Sequence, residues 1–310
     1  SLNEDDSQAL LELLLKFKKQ GMTSIIISHK LNEISYVADK ITVIRDGSTI
    51  ETLDKKKDDF SEQRIIQGMV GREMTDRFPK RPGVKIGDVS MEVKNWNVYH
   101  PLYSERKVVD NVSFKVHKGE VVGISGLMGA GRTETTRAIF GIDPKESGEI
   151  FIDGKEVKIS CPADSIKAGL VLAPEDRKKD GLCTRLSIAD NIALPNLDIL
   201  CEGPVGTVNR KKEKAMVDNA VKALKIKLPN AQVDAGSLSG GNQQKVVVAK
   251  WLARNSRVVI FDEPTRGIDV AAKVEIYNLM NQLKQNGIGV MFVSSEMPEV
   301  MGMSDRIIVM

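Results

Sequence analysis

Apolar positions recur along the chain with two periods, one typical of helices and one typical of strands. Apolar residues that return every three to four positions predict amphipathic helices over Gln8–Lys19 and Val274–Gln285. A glycine turn and a short apolar run follow each helix, and these runs, Ser24–Ile27 and Val290–Val293, predict strands. Both ends of the chain therefore carry the same helix, turn and strand pattern.

The two ends also share identical residues when residues 1–44 are aligned with residues 267–310 without a gap. The identical pairs are Leu13 and Leu279, Lys18 and Lys284, Gly21 and Gly287, Ser28 and Ser294, Glu33 and Glu299, Asp39 and Asp305, Ile41 and Ile307, and Val43 and Val309. A repeat of this kind indicates one supersecondary unit that occurs twice. We expect a fragment that starts late in a first copy of a domain and stops at nearly the equivalent point of a second.

Three regions are predicted from this repeat. Residues 1–54 are the C-terminal remnant of the first copy, 55–88 are a linker, and 89–310 are the second copy. The linker is predicted from residues 69–88, which are polar, contain two prolines and three glycines and show no hydrophobic period. Strands in the second copy are predicted at Val121–Ser125, Leu170–Ala173, Val258–Phe261, Val290–Val293 and Ile307–Met310. Because they alternate with helices, the fold class is α/β with a mainly parallel sheet.

Composition narrows the class of protein. The 310 residues are 41% hydrophobic and 28% charged, which suits about two folded domains. Lysine and arginine total 45 against 42 acidic residues, so the chain lacks the basic excess of a dedicated nucleic-acid binder. No apolar stretch reaches the roughly 18 residues of a membrane span, and the three cysteines form no CxxC pair. These features predict a cytosolic protein with free thiols.

A glycine-rich loop follows the strand that ends at Ser125, and a helix follows the loop. Such a loop turns backbone N–H groups toward a polyphosphate at a helix N-terminus, and the hydroxyl of Thr133 is placed for Mg²⁺. The candidate nucleotide-binding residues here are Gly126, Leu127, Met128, Gly129, Ala130, Gly131, Arg132, Thr133 and Glu134. Arg132 occupies the usual lysine position, and its larger planar guanidinium changes the phosphate geometry. The alternative is a purely structural glycine turn.

Two adjacent carboxylates, Asp262 and Glu263, end the apolar strand that begins at Val258. Ligands of parallel sheets bind at the carboxyl ends of the strands, so both acids should face the phosphate loop. We expect Asp262 to hold Mg²⁺ and Glu263 to act as the catalytic base that polarises an attacking water.

A third motif, LSGGNQQK at residues 238–245, places Ser239 at the N-cap of another helix. The order and spacing of the phosphate loop, LSGGNQ and VIFDEPTRGID resemble the ABC-type ATPases. Within that family, SGGNQQK, DEPTRGIDVAAK and SSEMPEV look like the second cassette of tandem ATPases that energise monosaccharide importers. The run from SLNEDD to ITVIRDG looks like the end of the first cassette.

The resemblance implies a P-loop NTPase fold with additional antiparallel β and helical subdomains, the latter at about 177–236. Cassettes of this family pair head to tail, so the signature residues Ser239, Gly240, Gly241 and Gln243 would serve the opposite nucleotide. The implied cofactors are ATP and Mg²⁺. The implied partners are membrane permease subunits and, indirectly, a sugar-binding protein, with no nucleic acid. The implied location is the cytoplasmic face of the membrane.

Further site residues rest on the same resemblance. The switch histidine of the family falls at His29, whereas the repeat places Ser295 at the equivalent position of the second copy. Glu175 stands where the family has a glutamine and would lie near Mg²⁺ with Thr133 and Asp262. The aromatic residue that stacks on the nucleotide is either Tyr99 or His100, and Tyr99 is the preferred assignment.

Three functions remain open at this stage. The leading hypothesis is an ATPase subunit that drives monosaccharide import. The second is a degenerate cassette that binds ATP as a regulatory clamp and hydrolyses little, because Arg132 and Ser295 replace two catalytic parts. The third is an ABC-type ATPase of translation or DNA repair, which would show stronger basic patches or a long coiled coil.

Overall fold

The computed structural model describes residues 4–28, 31–45, 47–71, 78–100, 103, 105–203, 205–254 and 256–310. The chain divides into two compact units. The first consists of Ser1–Arg77 and Asp269–Ala271, and the second consists of Phe78–Ile268 and Ala272–Met310. None of the described helices combines the length and apolarity needed to cross a membrane.

The first unit packs three helices with a two-stranded hairpin. Its elements are α1 (Glu4–Lys19), α2 (Leu31–Val37), β1 (Lys40–Arg45), β2 (Ser48–Asp54) and α3 (Glu62–Val70). The strands pair antiparallel. Buried apolar side chains from α2, the hairpin and α3 form its small core, which contains Leu31, Ile41, Val43, Leu53, Ile65 and Ile66.

Helix α3 lies inside the predicted linker 55–88, so this segment is more structured than its composition suggests. Ser61 caps the helix by accepting a hydrogen bond from the Arg64 amide, and Gly71 ends it in the left-handed conformation at φ 80°. Further along, the ring centroid of Phe78 lies 5.6 Å from that of Tyr277, and Arg81 donates to the carbonyl of Ser304. The end of the segment, from Phe78 onward, is therefore part of the second unit.

The second unit contains the remaining elements, except for residues 270–271 at the start of the helix Val270–Gln285, which belong to the first unit. The first half comprises β3 (Val89–Tyr99), β4 (Lys107–His117), β5 (Val121–Ser125), α4 (Arg132–Phe140), β6 (Ser147–Ile152), β7 (Lys155–Val157), α5 (Pro162–Ala168) and β8 (Leu170–Ala173). The second half comprises α6 (Ile188–Ala193), α7 (Leu197–Leu200), β9 (Cys201–Glu202), β10 (Thr207–Val208), α8 (Arg210–Ala223), α9 (Gly240–Leu252), β11 (Val258–Asp262), α10 (Val270–Gln285), β12 (Gly289–Val293), α11 (Met297–Met303) and β13 (Arg306–Val309). A short π-helical turn spans Arg177–Gly181.

A five-stranded parallel sheet organises this unit, with strand order β13-β5-β12-β11-β8. A four-stranded antiparallel sheet, β4-β3-β6-β7, packs beside it, and α6 to α8 form a mainly helical region. The predicted α/β class, with its parallel sheet and added antiparallel and helical parts, is confirmed. Because the strands are parallel, the residues that follow β5, β11 and β12 emerge at the same edge.

Both faces of the parallel sheet are buried, as expected of strands covered on two sides. Side chains alternate between the faces: Val121 and Phe292 belong to the core shared with α9 and α10, whereas Val122 and Met291 belong to the core shared with the antiparallel sheet and α4. Packing on both faces holds β5, β11 and β12 in place in the sheet, and this sets the positions of the site residues at the ends of these strands.

The predicted strand Ser24–Ile27 is wrong for this structure. Residues 22–28 form neither helix nor strand, and Ile25 and Ile27 are 92% and 97% exposed. The equivalent strand of the second unit, β12, lies between β5 and β11, which satisfy its backbone hydrogen bonds. Among the residues that the structure describes before Val89, no strand pairs with Ser24–Ile27, so its apolar sequence alone does not produce one.

Candidate functional site

The loop after β5 forms an open backbone cradle. Gly129 and Gly131 adopt φ angles of 81° and 85°, which favour glycine. A Cβ on Gly131 would lie 2.3 Å from the Val108 carbonyl oxygen, so no larger residue fits there. The side chains of Leu127 and Met128 point to solvent, with the residues 85% and 79% exposed. The loop therefore offers its backbone rather than its side chains to a ligand at the N-terminus of α4.

Arg132 is turned into the site and held there. Its Nη1 atom donates to the Ser294 carbonyl at 2.9 Å and lies 3.6 Å from Oε1 of Glu263. Only 13% of its side chain is exposed. The guanidinium that replaces the usual lysine thus bonds to the end of β12 and to the adjacent carboxylate.

Asp262 ends β11 beneath the phosphate loop and is 1% exposed. Its carboxylate accepts hydrogen bonds from Thr136 Oγ1 at 3.0 Å and from Thr133 Oγ1 at 3.4 Å. Burial raises the pKa of Asp262 even though both threonines favour the charged form. Glu134, in the first turn of α4, raises it further through its negative charge. A cation at this position would offset the cost of the buried charge.

The donor set at Asp262 suits Mg²⁺. A carboxylate and a hydroxyl from Thr133 are hard oxygen ligands, and Mg²⁺ is commonly held by one or two carboxylates together with substrate phosphates and water. Thr136 was not predicted as a site residue. Its signal was the spacing of three residues from Thr133, which places both hydroxyls on one helix face.

Glu263 has a strained backbone, with φ 46°, and its amide donates to the Val293 carbonyl at 3.0 Å. Its carboxylate accepts a hydrogen bond from Ser295 Oγ at 3.1 Å. Burial raises the pKa of Glu263 to about 6, although Arg132 and Ser295 act to lower it. A carboxylate with a pKa near neutrality has the character of a general base.

A buried polar network supports the ends of β11 and β12. Glu299 is 1% exposed and accepts hydrogen bonds from Thr265 at 2.7 Å, Lys273 at 2.7 Å and Ser294 at 3.0 Å. Burial raises the pKa of Glu299, but Lys273 and the hydrogen bonds outweigh it, so the pKa lies below its ordinary value. The repeat matches Ser294 and Glu299 to Ser28 and Glu33, but the sequence alone gives no reason for the match.

Glu175 has a different partner from the one predicted. Thr133 and Asp262 come together, whereas Glu175 forms an ion pair with Arg266, in the turn after Glu263. The role of Glu175 as a third metal ligand stays a prediction, and in this structure its carboxylate is engaged by Arg266. The acid follows β8, the edge strand that pairs with β11, and the guanidinium of Arg266 neutralises it.

Tyr99 lies at the end of β3, paired with Lys107 on β4. The next residue, Val108, presents its carbonyl to Gly131, so this end of the antiparallel sheet borders the phosphate loop. His100 follows Tyr99, with its ring 5.0 Å from that of Tyr103. The choice of Tyr99 over His100 as the stacking aromatic stays a prediction. His29 lies outside the described residues.

The signature motif begins α9, and the N-terminus of this helix has no side-chain cap. Ser239 is at the N-cap, but its hydroxyl makes no capping hydrogen bond and instead accepts one from Asn242 Nδ2 at 3.0 Å. A Cβ on Gly241 would lie 2.5 Å from the Cβ of Ala272, which explains the glycine. The first-turn amides of a helix without such a cap are suited to an anion.

Gln243 does not belong with the exposed part of this motif. It is 2% exposed, and its Nε2 atom donates to the carbonyls of Leu238 at 2.9 Å and Gly236 at 3.3 Å. The side chain of Gln243 therefore holds the loop that precedes α9, and its role toward the opposite nucleotide stays a prediction. Helical periodicity could have shown this burial, because Gln243 shares its face with the buried Val246 and Val247.

Comparison with known proteins adds three relatives and a family. A model of the family described as ABC transporter matches residues 109–266. The chain is 52% identical to the L-arabinose transport ATP-binding protein AraG of Geobacillus stearothermophilus. It is 51% identical to the xylose import ATP-binding protein XylG of Thermoanaerobacter pseudethanolicus and 47% identical to the ribose import ATP-binding protein RbsA of Bacillus subtilis.

Each of these matches covers the whole chain but 60% of the relative's length. Among solved structures, the ADP conformation of MJ1267, an ATP-binding cassette of an ABC transporter, aligns with a TM-score of 0.59 at 25% identity. That alignment covers 72% of this chain and 87% of the cassette. A nucleotide-free ATP-binding cassette aligns with a TM-score of 0.60 at 22% identity, which supports the fold.

Proposed function

The chain belongs to the ABC transporter family of ATP-binding proteins, and from this premise we propose that it binds and hydrolyses ATP to drive import of a monosaccharide. The observation that carries the proposal is the meeting of the Gly126–Thr133 loop, the buried Asp262 and the carboxylate of Glu263 at one edge of the parallel sheet. The sugar class follows the relatives, which transport arabinose, xylose and ribose.

Each residue at this edge has a role in the proposed reaction. Backbone amides of the Gly126–Gly131 loop bind the phosphates, and Thr133 and Asp262 would hold Mg²⁺, which neutralises charge on the phosphates when bound. Glu263 accepts a proton from the attacking water, consistent with a pKa of about 6. Ser239, Gly240 and Gly241 contact the nucleotide of a second cassette in a head-to-tail pair.

The partners and location belong to the same proposal. We infer that the chain works within a two-cassette protein at the cytoplasmic face of a membrane, bound to permease subunits that receive sugar from a binding protein. The domain organisation that we propose for it is the end of a first cassette in the region 1–54 and a second cassette in 89–310.

A regulatory clamp remains the second candidate, and one observation favours it. Glu263 already accepts a hydrogen bond from Ser295 and faces Arg132, while Arg132 donates to Ser294. These contacts compete with water at Glu263 and with phosphate at Arg132, which would slow the reaction. A cassette of this kind would bind ATP firmly and hydrolyse it slowly.

Titration with a fluorescent ATP analogue and Mg²⁺ tests nucleotide binding at this loop. We expect saturable binding that ATP displaces, and a loss of about 100-fold or more in Gly131→Asp, because its side chain would collide with the Val108 carbonyl and distort the loop, and its carboxylate would add negative charge where the loop binds phosphate. Gly21→Asp is the matched control, since Gly21 has a similar φ of 83° but a Cβ added there would have no heavy atom within 4 Å. Equal binding by wild type and Gly131→Asp would refute the proposal.

A further inference from the structure

Three segments of the second unit meet at the side chain of Arg177. Its Nη1 atom donates to the Arg266 carbonyl at 2.8 Å, and its Nη2 atom donates to the Gly267 carbonyl at 3.3 Å. A Cβ on Gly240 would lie 2.8 Å from the same Nη2 atom and 3.3 Å from the Gly267 oxygen. One guanidinium thus joins the segment after β8, the turn after Glu263 and the first turn of α9.

The backbone around Arg177 fixes its direction. Asp176 caps the π-helical turn by accepting hydrogen bonds from the amides of Lys178 at 3.0 Å and Lys179 at 3.1 Å. On the other side, the Arg266 amide donates to the Glu263 carbonyl at 3.1 Å, and Glu175 pairs with the Arg266 side chain. The carbonyls that Arg177 holds therefore belong to a turn that is hydrogen-bonded to the residue proposed as the general base.

The placement of this cation is unfavourable for stability. The N-terminus of a helix attracts anions and repels cations, yet Arg177 lies against the first residue of α9. None of the ion pairs among the described residues includes Arg177, its buried Nε atom has no hydrogen-bond partner, and burial lowers the pKa of its guanidinium. Residues that violate local electrostatic rules in this way often serve function.

We propose that Arg177 is a positioning residue that couples the turn at residues 263–267 to the signature turn at Gly240. This inference rests on the proposed function. Nucleotide at the Gly126–Thr133 loop alters Glu263 and the turn that follows it, and Arg177 transmits the movement to the residues that serve the other nucleotide. The guanidinium fork is required, because it holds two neighbouring carbonyls while it fills the space where a Gly240 side chain would lie.

Hydrogen exchange of the chain, with and without an ATP analogue and Mg²⁺, tests this coupling. The sequence contains one phosphate loop, so nucleotide enters at residues 126–133. In wild type we expect nucleotide to slow amide exchange both at 126–140 and at 237–244, the latter by about 5-fold or more, the lower end of typical couplings. In Arg177→Ala we expect slowing at 126–140 to persist and slowing at 237–244 to disappear.

Two further variants separate coupling from folding. Arg177→Lys keeps the charge but reaches one carbonyl, so we expect it to restore less than half of the slowing at 237–244. Arg254→Ala is the control, because Arg254 also bridges two segments through Asp198 at 2.9 Å but lies at the far end of α9. It should raise exchange locally and leave the nucleotide response at 237–244 intact.

The outcomes distinguish the two proposals. The coupling role is overturned if nucleotide slows exchange at 237–244 as much in Arg177→Ala as in wild type. It is also overturned if nucleotide slows exchange at 126–140 in wild type but not at 237–244. The coupling role is supported if exchange at 237–244 in Arg177→Ala is raised and does not change when nucleotide is added. In the same experiment, Arg254→Ala should respond to nucleotide as wild type does. If wild type shows no response even at 126–140, the proposed function fails, and the inference fails with it.

Discussion

The same ion pair occurs in the two copies of the repeat in different surroundings. Lys18 Nζ lies 2.6 Å from Asp39 Oδ1, and the equivalent Lys284 Nζ lies 2.6 Å from Asp305 Oδ1. The side chains of the first pair are 47% and 67% exposed, whereas those of the second are 3% and 17% exposed. Local sequence is enough to bring each pair together, but burial depends on the rest of the domain.

The apolar runs of the two copies differ more strongly. Ile25 is 92% exposed in a segment without strand pairing, whereas its equivalent Met291 is fully buried in β12. Hydrogen bonds from β5 and β11 and packing on both faces make β12 a strand. An apolar sequence therefore specifies a strand only when neighbouring strands are present to receive it.

The largest expected effect concerns turnover in a two-cassette protein that contains this chain. Glu263 is engaged by Arg132 and Ser295, so we expect the site of this chain to turn over slowly, as in the regulatory-clamp candidate. Under the proposed head-to-tail pairing, His29 and the Ser239 motif would serve the opposite, faster site. We expect His29→Ala and Ser239→Arg each to remove most ATP hydrolysis, by roughly 10² to 10⁴-fold, and Glu263→Gln to leave most of it. Steady-state phosphate release measures all three variants. Near-total loss in Glu263→Gln, with His29→Ala close to wild type, would reverse the assignment of the active site.

The second expected effect separates the two ion pairs. Asp305→Asn leaves the Lys284 ammonium buried without its counter-charge, so we expect the free energy of unfolding of the second unit to fall by about 3–5 kcal/mol. Denaturation followed by tryptophan fluorescence measures it, because both tryptophans, Trp96 and Trp251, lie in that unit. In contrast, Asp39→Asn should leave amide protection in β1 and β2 unchanged, since solvent screens that pair. Similar losses from both substitutions would show that burial does not set their importance.

The third expected effect concerns the apolar runs. Met291→Ala removes a fully buried side chain and should destabilise the second unit by about 2–5 kcal/mol. Ile25→Ala removes an exposed one and should change stability by less than about 0.5 kcal/mol. Thermal denaturation of the two variants is the measurement. A loss in Ile25→Ala that approached that of Met291→Ala would mean that Ser24–Ile27 is buried in solution.

The sequence predicts which residues meet at the edge of the parallel sheet, but not which partners their side chains bind. Strands that alternate with helices, a glycine loop and the Asp262–Glu263 pair predict the fold and the meeting of these residues. The sequence could not show that Glu175 pairs with Arg266, because this contact joins segments that are distant in the chain. Arg177 escaped notice for the same reason: its partners are backbone carbonyls, which carry no sequence signal.

The smallest expected effect depends on pH. It concerns Lys40 and Arg306, the residues that follow Asp39 and Asp305 in the two copies of the repeat. Arg306 donates to both carboxylate oxygens of Glu120, at 2.9 and 3.1 Å, and Glu120 is 2% exposed. The equivalent Lys40 is 68% exposed at its side chain and lies 3.8 Å from Asp54. Burial raises the pKa of Glu120, but Arg306 and His117 outweigh it, so the pKa lies below its ordinary value.

A lowered pKa means that the ionised carboxylate stabilises the folded state. This contribution is complete above the unfolded-state pKa of about 4.3 and is lost as the pH falls through the folded-state pKa. We therefore expect Glu120→Gln to lower the free energy of unfolding by about 1–3 kcal/mol at pH 7, with the difference from wild type shrinking below about pH 4. Asp54→Asn should show no such difference at either pH, because Lys40 stays solvated. Urea denaturation at pH 7 and at about pH 3.5 provides the test, since a constant gap for Glu120→Gln would assign its effect to packing rather than to charge.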